Sequence, residues 1–397
     1  MDLKKAIEKI SKRNHIDFSV LIAVLVLMVL SLGVVYSASA TMALRRYGES
    51  AHFLNSHVLK TLVALALLFL GIMIDYRKYR KLTKLALFAA VALLLATLGL
   101  GSAIKGATRW MHLGPFGFQP SEFAKFALLF HLATLITTKG TLIKDLRRGY
   151  LPLVFWIGSV SALVMIQPNF STGSMILLLS LVMLFFSSVR LSHVVVTAVA
   201  AVPFLVLYVF LAPHAMRRLQ AFFDSSNTSA TSLYQVTQGI LGFGNGGIFG
   251  LGPGESRQRD LFLPEAYGDF VFSIVGEEYG FVGTMIVLGL FFLIMIRGLK
   301  IARHAPDEFG RLLAVGITST VTLYALVNAG VTLGLLPTTG LPMPFVSYGG
   351  SSLFSTAFAV GALLNISAHT DLHPRASTLP EGVMPMNSLD RKTITVY

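Results

Sequence analysis

The residues that could do chemistry in this sequence are ionisable side chains set into apolar runs. Asp269 follows Leu263-Pro264-Glu265-Ala266-Tyr267-Gly268 and opens a long apolar segment that carries Glu277 and Glu278 further in. Arg109 precedes Gln119-Pro120-Ser121-Glu122-Phe123-Ala124-Lys125, where a carboxylate and an ammonium stand three residues apart. On one helical face that spacing makes a local ion pair the simplest account. Charged groups inside an apolar span are expensive and usually line a polar interior, a substrate path or a proton relay. Proton transfer and the binding of charge are therefore the chemistries to look for.

Helical geometry sorts the carboxylates. At about 100° per residue, Ser273, Gly276, Gly280 and Gly283 fall near the face of Asp269, with Glu277 about 80° and Glu278 about 180° away. Asp269 heads a stripe of small residues of the sort that lets helices approach or line a cavity. It also suits a helix N-cap. Seven glycines between Gly242 and Gly254 imply tight turns, as in a re-entrant loop that packs closely. A phosphate-binding loop is the competing reading, but no GxxxxGK[ST] pattern is present. Near the C-terminal end, Pro337-Thr338-Thr339-Gly340-Leu341-Pro342-Met343-Pro344 leads into Ser347-Tyr348-Gly349-Gly350-Ser351-Ser352. Lipid could not solvate so irregular an entry, so it must be buried in protein or line a cavity.

The elements that hold these residues are membrane spans. Of 397 residues, 54% are hydrophobic and only 13% charged, which excludes an ordinary soluble domain. There is no cysteine, so disulfides, thiolate nucleophiles and cysteine-bound metals are excluded. Runs long enough to cross about 30 Å of hydrocarbon fall near residues 17–39, 57–74, 85–101, 121–137, 151–167, 172–188, 191–212, 269–296, 310–333 and 347–367. Ten spans place both termini on one side. With that side cytoplasmic, the inner segments hold 22 of the 32 Lys and Arg and the outer loops 8, as the positive-inside rule requires. The net charge of +13 is thereby explained without nucleic acid. Ser37-Ala38-Ser39-Ala40 resembles a signal-peptidase site, but the preceding apolar run is longer than a usual signal, so it reads as a retained span.

Residues 1–14 read as a cytoplasmic interfacial segment, 15–367 as the membrane domain, and 368–397 as a disordered cytoplasmic tail. The segment 213–268, between spans seven and eight, is the one long connection, and it lies outside. Loops of that length are usually functional. The outer halves of several spans thus converge on a polar, ionisable chamber. That arrangement fits an enzyme acting on a lipid-linked substrate, and it also fits a transporter.

Five motifs in order, KGATRW with GPFGFQPSEFAKF, QPNFSTG, GNGGIFGLGPGES, LPEAYGDFVFSIVGEEYG and GLPMPFVSYGGSS, resemble the SEDS family (shape, elongation, division and sporulation) over about residues 15–367. The family includes FtsW, RodA and SpoVE, and the last motif and the tails look closer to its FtsW branch. The resemblance implies an all-α ten-helix membrane fold and a peptidoglycan glycosyltransferase that polymerises lipid II outside the cytoplasmic (inner) membrane. It implies a class B penicillin-binding protein as partner, among other divisome or elongasome proteins of the same membrane lipid. It implies Asp269 as the catalytic base, and places Arg109, Lys125, Glu265, Ser347 and Tyr348 in motifs that contact substrate. A divalent cation, Mg or Mn, could assist the departing pyrophosphate, although the sequence offers no dedicated cage. Two departures stand out. Tyr267-Gly268 replaces the family's usual His-Thr before the aspartate, and Asn169 and Ser171 replace its usual aspartate and glycine. A lipid II flippase or ion-coupled carrier remains the rival, against which stands the lack of an inverted repeat. A non-catalytic scaffold that activates a partner enzyme is the third class.

Overall fold

The computed structural model describes residues 14–104, 107–113, 116–223, 231–258, 263 and 266–373. Within lipid a backbone must satisfy its own hydrogen bonds, so the apolar runs fold as helices. They are α1 (Phe18–Tyr47), α2 (His52–Met73), α3 (Tyr76–Leu100), α4 (Pro120–Lys139), α5 (Leu151–Ile166), α6 (Phe170–Phe185) and α7 (Leu191–Leu211). After two shorter helices, α8 (Pro213–Phe223) and α9 (Thr231–Gly246), come α10 (Val271–Arg303), α11 (Glu308–Thr332) and α12 (Gly350–Ser367). Among the described residues nine of these, α1 to α5, α7 and α10 to α12, are long and apolar enough to cross a membrane. The apolar α6 has 16 residues, about 24 Å of helix. Ser37, Ala38 and Ser39 lie buried inside α1, as expected of a retained span.

Helices α11 and α12 are the most enclosed, whereas α7 buries only Val194 among its side chains. Close packing of α2 on α12 depends on two facing glycines. A Cβ at Gly71 would lie 2.5 Å from the Phe358 carbonyl oxygen, and one at Gly361 would lie 2.2 Å from that of Leu68. Small residues at such a crossing let the backbones approach.

The end of the bundle that holds both termini is stitched by aspartates that cap helices. Asp17 accepts from Val20 N, Asp75 from Arg77 N and Asp307 from Gly310 N. Fully buried Asp17 also pairs with Arg297 at 2.6 Å. Asn14 N and His15 N donate to the carbonyls of Ala368 and His373. The packed domain therefore runs past residue 367, the expected boundary, to His373. Residues 374–397 and 1–13 lie outside the described residues.

Two features depart from straight helices. Between α3 and α4 the chain forms an antiparallel sheet, β1 (Ser102–Ile104), β2 (Ala107–Leu113) and β3 (Phe116–Phe118), with β2 central. This is the one β element of the described residues in an otherwise helical fold. The second lies inside α10, where Gly280 has φ 64° and ψ −161° and breaks the helix. The break frees carbonyls for the glycine-rich segment: Leu251 N donates to Glu277 O at 2.9 Å and Gly252 N to Glu278 O at 3.0 Å. A Cβ at Gly250 would sit 2.1 Å from the Glu278 carbonyl oxygen, so this position requires glycine. The segment is thus a closely packed loop against α10. It is held further by Glu277, which accepts from Gln258 N at 3.1 Å and Asn245 Nδ2 at 3.2 Å.

Candidate functional site

Asp269 is held just ahead of α10 by its backbone. Asn328 of α11 donates from one Nδ2 to the carbonyls of both Asp269 and Leu341, each at 2.8 Å. That bridge ties the turn before α10 to the proline-rich entry of α12. The helix cap is Phe270, with no side-chain cap bond. Asp269 is therefore not the N-cap that its residue type suggested, in contrast to the capping aspartates Asp17, Asp75 and Asp307. Its carboxylate instead faces Gly340, where a Cβ would lie 3.3 Å from Asp269 Oδ2 and 3.9 Å from Arg218 Nη2. Gly340 has φ +73°, a conformation that favours glycine, so the residue keeps both the turn and the space.

Arg218 comes from α8 and donates from Nη1 to Thr339 O at 2.9 Å. Arg109 comes from β2 and donates from Nη2 to Pro168 O. Burial pushes the Arg218 guanidinium below its ordinary pKa, opposed by Asp269. Arg109 is lowered by burial and by Arg218, opposed by Tyr208 and Asp269. A guanidinium stays charged through the physiological range, so two desolvated cations share one carboxylate here. The excess positive charge favours an anionic ligand.

Both arginines line a cavity of about 420 Å³. Four buried polar atoms on its lining residues have no partner among the described residues: Arg109 Nε, Asn169 Nδ2, Thr338 Oγ1 and Thr339 Oγ1. Buried polar groups are normally satisfied, so this clustering marks a place for a polar ligand. A smaller pocket shares Phe170, Val209 and Leu219 with the cavity and is lined by apolar side chains throughout. A cavity that carries two cations among mostly apolar side chains thus adjoins a wholly apolar groove.

Of the residues singled out in the sequence, Asp269 and Arg109 interact electrostatically, and the other described ones have different partners. Lys125 is fully buried, pairs with Glu122 at 2.9 Å and lies 4.0 Å above the Tyr324 ring. It is not among the residues lining the cavity, and the partners it has are Glu122 and the Tyr324 ring. Ser347 Oγ accepts from Met343 N at 2.8 Å and closes the turn into α12. Tyr348 packs its ring against Tyr267 and Phe53 and is not among the residues lining the cavity. Glu265 lies outside the described residues. Among the described residues no three His, Cys, Asp or Glu side chains converge as metal ligands. Sequence reasoning missed Arg218, which sits in an amphipathic stretch that reads as surface, and Asn328, which nothing in a polar helix position singles out.

The comparisons agree with this architecture. A family model described as a cell cycle protein, FtsW/RodA/SpoVE, matches residues 18–372. The chain is 38% identical over 360 residues to a probable peptidoglycan glycosyltransferase FtsW of Trichlorobacter lovleyi, covering 90% of this chain and 94% of that protein. It is 35% identical to the stage V sporulation protein E of Bacillus subtilis, covering 91% and 99%. Among solved structures, one of a peptidoglycan synthase complex, concerned with the coordination of polymerization and crosslinking, aligns with TM-score 0.72 and 27% identity, covering 90% of this chain and 99% of that one. The rod shape determining protein RodA of Thermus thermophilus aligns with TM-score 0.66 and 27% identity, covering 89% and 96%. The fold, the ordered motifs and the matched length together place this chain in the FtsW/RodA/SpoVE family of membrane-embedded cell cycle proteins.

Proposed function

We propose that the chain is an FtsW-like peptidoglycan glycosyltransferase that polymerises lipid II at the outer face of the cytoplasmic membrane. The observation that carries this reading is the Asp269 carboxylate, which stands across Gly340 from Arg218 and acts electrostatically on both arginines, while Arg109 and Arg218 line a cavity that adjoins an apolar groove. A lipid-linked sugar pyrophosphate has the matching parts: an anionic bridge, a sugar and a hydrocarbon tail. The names of the FtsW relatives support the same activity.

Inverting transfer assigns each group a task. The 4-hydroxyl oxygen of the acceptor sugar attacks the anomeric carbon of the donor, and the bond from that carbon to the pyrophosphate oxygen breaks. The bonding electrons leave with the polyprenyl pyrophosphate, and the hydroxyl proton passes to Asp269 as general base. Arg109 and Arg218 hold the charge that develops on the leaving group. Asn169 Nδ2 and the two threonine hydroxyls are further donors at the cavity. Among the described residues no cluster of carboxylates or imidazoles joins Asp269 to hold the expected divalent cation, so no step is routed through it.

The same reading sets topology and partners. The ends of the bundle meet at Asn14, His15 and His373, which requires an even number of crossings, so we count α6 as the tenth span. The charge asymmetry puts both termini in the cytoplasm. A class B penicillin-binding protein would crosslink the strands, and other division or elongation proteins would share the complex. Purified chain supplied with fluorescent lipid II, alone and with that partner, tests the activity. Glycan polymer supports it, and lipid II movement across vesicles without polymer in either mixture contradicts it.

A further inference from the structure

Lys60 is a cation without an acid. It lies in the third turn of α2, about 12 Å from that helix's outer end at 1.5 Å per residue. Among the described residues it has no carboxylate partner, and its one charged contact is with a ring: Nζ stands 3.8 Å from the centroid of Tyr348. Such contact recovers only part of the cost of a cation at membrane depth. Intramembrane Lys125, by comparison, has both its carboxylate and its ring.

Three neighbouring features point the same way. Lys60 Cδ and Cε lie 3.6 and 3.7 Å from the Cβ position of Gly350, the first residue of α12. The N-cap there is Gly349, with no side-chain cap bond, and a side chain at Gly349 would meet nothing within 4 Å. Buried His57, one turn before Lys60, has an Nδ1 without a partner. An ammonium, an uncapped helix N-terminus beside open space and an unsatisfied imidazole nitrogen are groups that favour an anion. None of these residues lines the arginine cavity. The turn before α10 nevertheless touches both places: Tyr348 N donates to Tyr267 O at 2.9 Å, while Asp269, two residues on, faces Gly340 and Arg218.

We propose that Lys60, with Tyr348 and the N-terminus of α12, binds the phosphate of a second polyprenyl-linked substrate, the acceptor, while the arginine cavity holds the donor. This rests on the polymerase reading, which requires two lipid-linked sugars to meet at one base. The position of Lys60 within a span selects a phosphate carried on lipid over free phosphate.

The test uses the full chain in nanodiscs with fluorescent undecaprenyl phosphate as probe. In an Arg109→Gln/Arg218→Gln background the first site is weakened, so the remaining binding reports the second. Adding Lys60→Met should weaken that binding by at least about tenfold, as loss of a charged hydrogen bond implies, whereas Lys60→Arg should retain it. Unchanged binding in Lys60→Met, or displacement of the probe by millimolar inorganic pyrophosphate, overturns the site as proposed. If Lys60→Met does not fold, Lys60→Arg paired with Tyr348→Leu decides: equal binding in both and in the parent contradicts the site. Polymerisation separates the two claims. Polymer from wild type with Lys60-independent binding removes only this site, and Lys60-dependent binding without polymer removes only the polymerase reading.

Discussion

Asp269 and Arg218 meet across Gly340: a single added carbon at that glycine would stand 3.3 Å from the carboxylate and 3.9 Å from the guanidinium. Three segments far apart in sequence, the turn before α10, helix α8 and the entry to α12, are thereby held to one geometry. The Asn328 side chain fixes two of them through their carbonyls. The proposed base and charge stabiliser are positioned by a glycine and an amide.

Gly340→Ala should therefore impair activity more than a surface alanine would. The substitution meets a positive φ and crowds the carboxylate, and a non-glycine residue held there costs of order 1–3 kcal/mol. Lipid II polymerisation should fall at least about tenfold, with membrane expression retained. Activity near wild type would mean that the carboxylate and guanidinium need no such spacing.

Arg218→Gln should lower polymerisation by about 10²–10³, the usual cost of removing one donor to developing charge. Arg218→Lys should recover only part, because an ammonium cannot keep both the Thr339 contact and the planar approach to a phosphate. Steady-state rates on fluorescent lipid II measure both. Equal activity of wild type and Arg218→Gln would leave Arg109 as the only guanidinium in the mechanism.

Lys125→Met should destabilise the bundle by about 3–5 kcal/mol, since it strands the Glu122 carboxylate in the interior. Glu122→Gln with Lys125→Met should restore most of both thermal stability and polymerisation. A double variant that folds like wild type but makes no polymer would return Lys125 to the substrate.

The spans were legible because length and apolarity alone decide them: each run overlaps one helix, although α1 continues to Tyr47 and α3 begins at Tyr76, outside the runs expected there. The closely packed glycine loop was legible too, from seven glycines in thirteen positions. The break at Gly280 was not. Helical arithmetic from Asp269 assumed one straight helix, whereas Leu251 N and Gly252 N take the Glu277 and Glu278 carbonyls, and the Gly247 and Ile248 carbonyls accept from Phe281 N and Val282 N. The sheet over residues 102–118 was hidden because its strands are short and cut by glycines. Arg109 was visible as an odd cation, and Asp269 as an odd carboxylate. Arg218 was invisible because α8 is amphipathic, and only the tertiary fold turns that residue onto Thr339 and toward Asp269.

Orientation has a direct check, because the chain carries no cysteine. Glu49 is exposed in the connection between α1 and α2, and His304 is exposed at the other end of the bundle, after α10. In intact cells an impermeant thiol reagent should label Glu49→Cys and leave His304→Cys unlabelled until the membrane is opened. The reverse pattern would invert the membrane orientation and place Asp269 on the cytoplasmic side.

The central claim is that Asp269 acts as the base, and Asp269→Asn tests it most directly. Asparagine keeps the size of the side chain and leaves the Asn328 contact to the backbone carbonyl intact, so folding and substrate binding should persist while proton acceptance is lost. The measurement is glycan polymer formed from fluorescent lipid II by the purified variant, alongside its thermal unfolding and its binding of undecaprenyl phosphate. The account predicts wild-type stability, retained binding and no detectable polymer. Polymerisation by Asp269→Asn at a rate near that of wild type would contradict it.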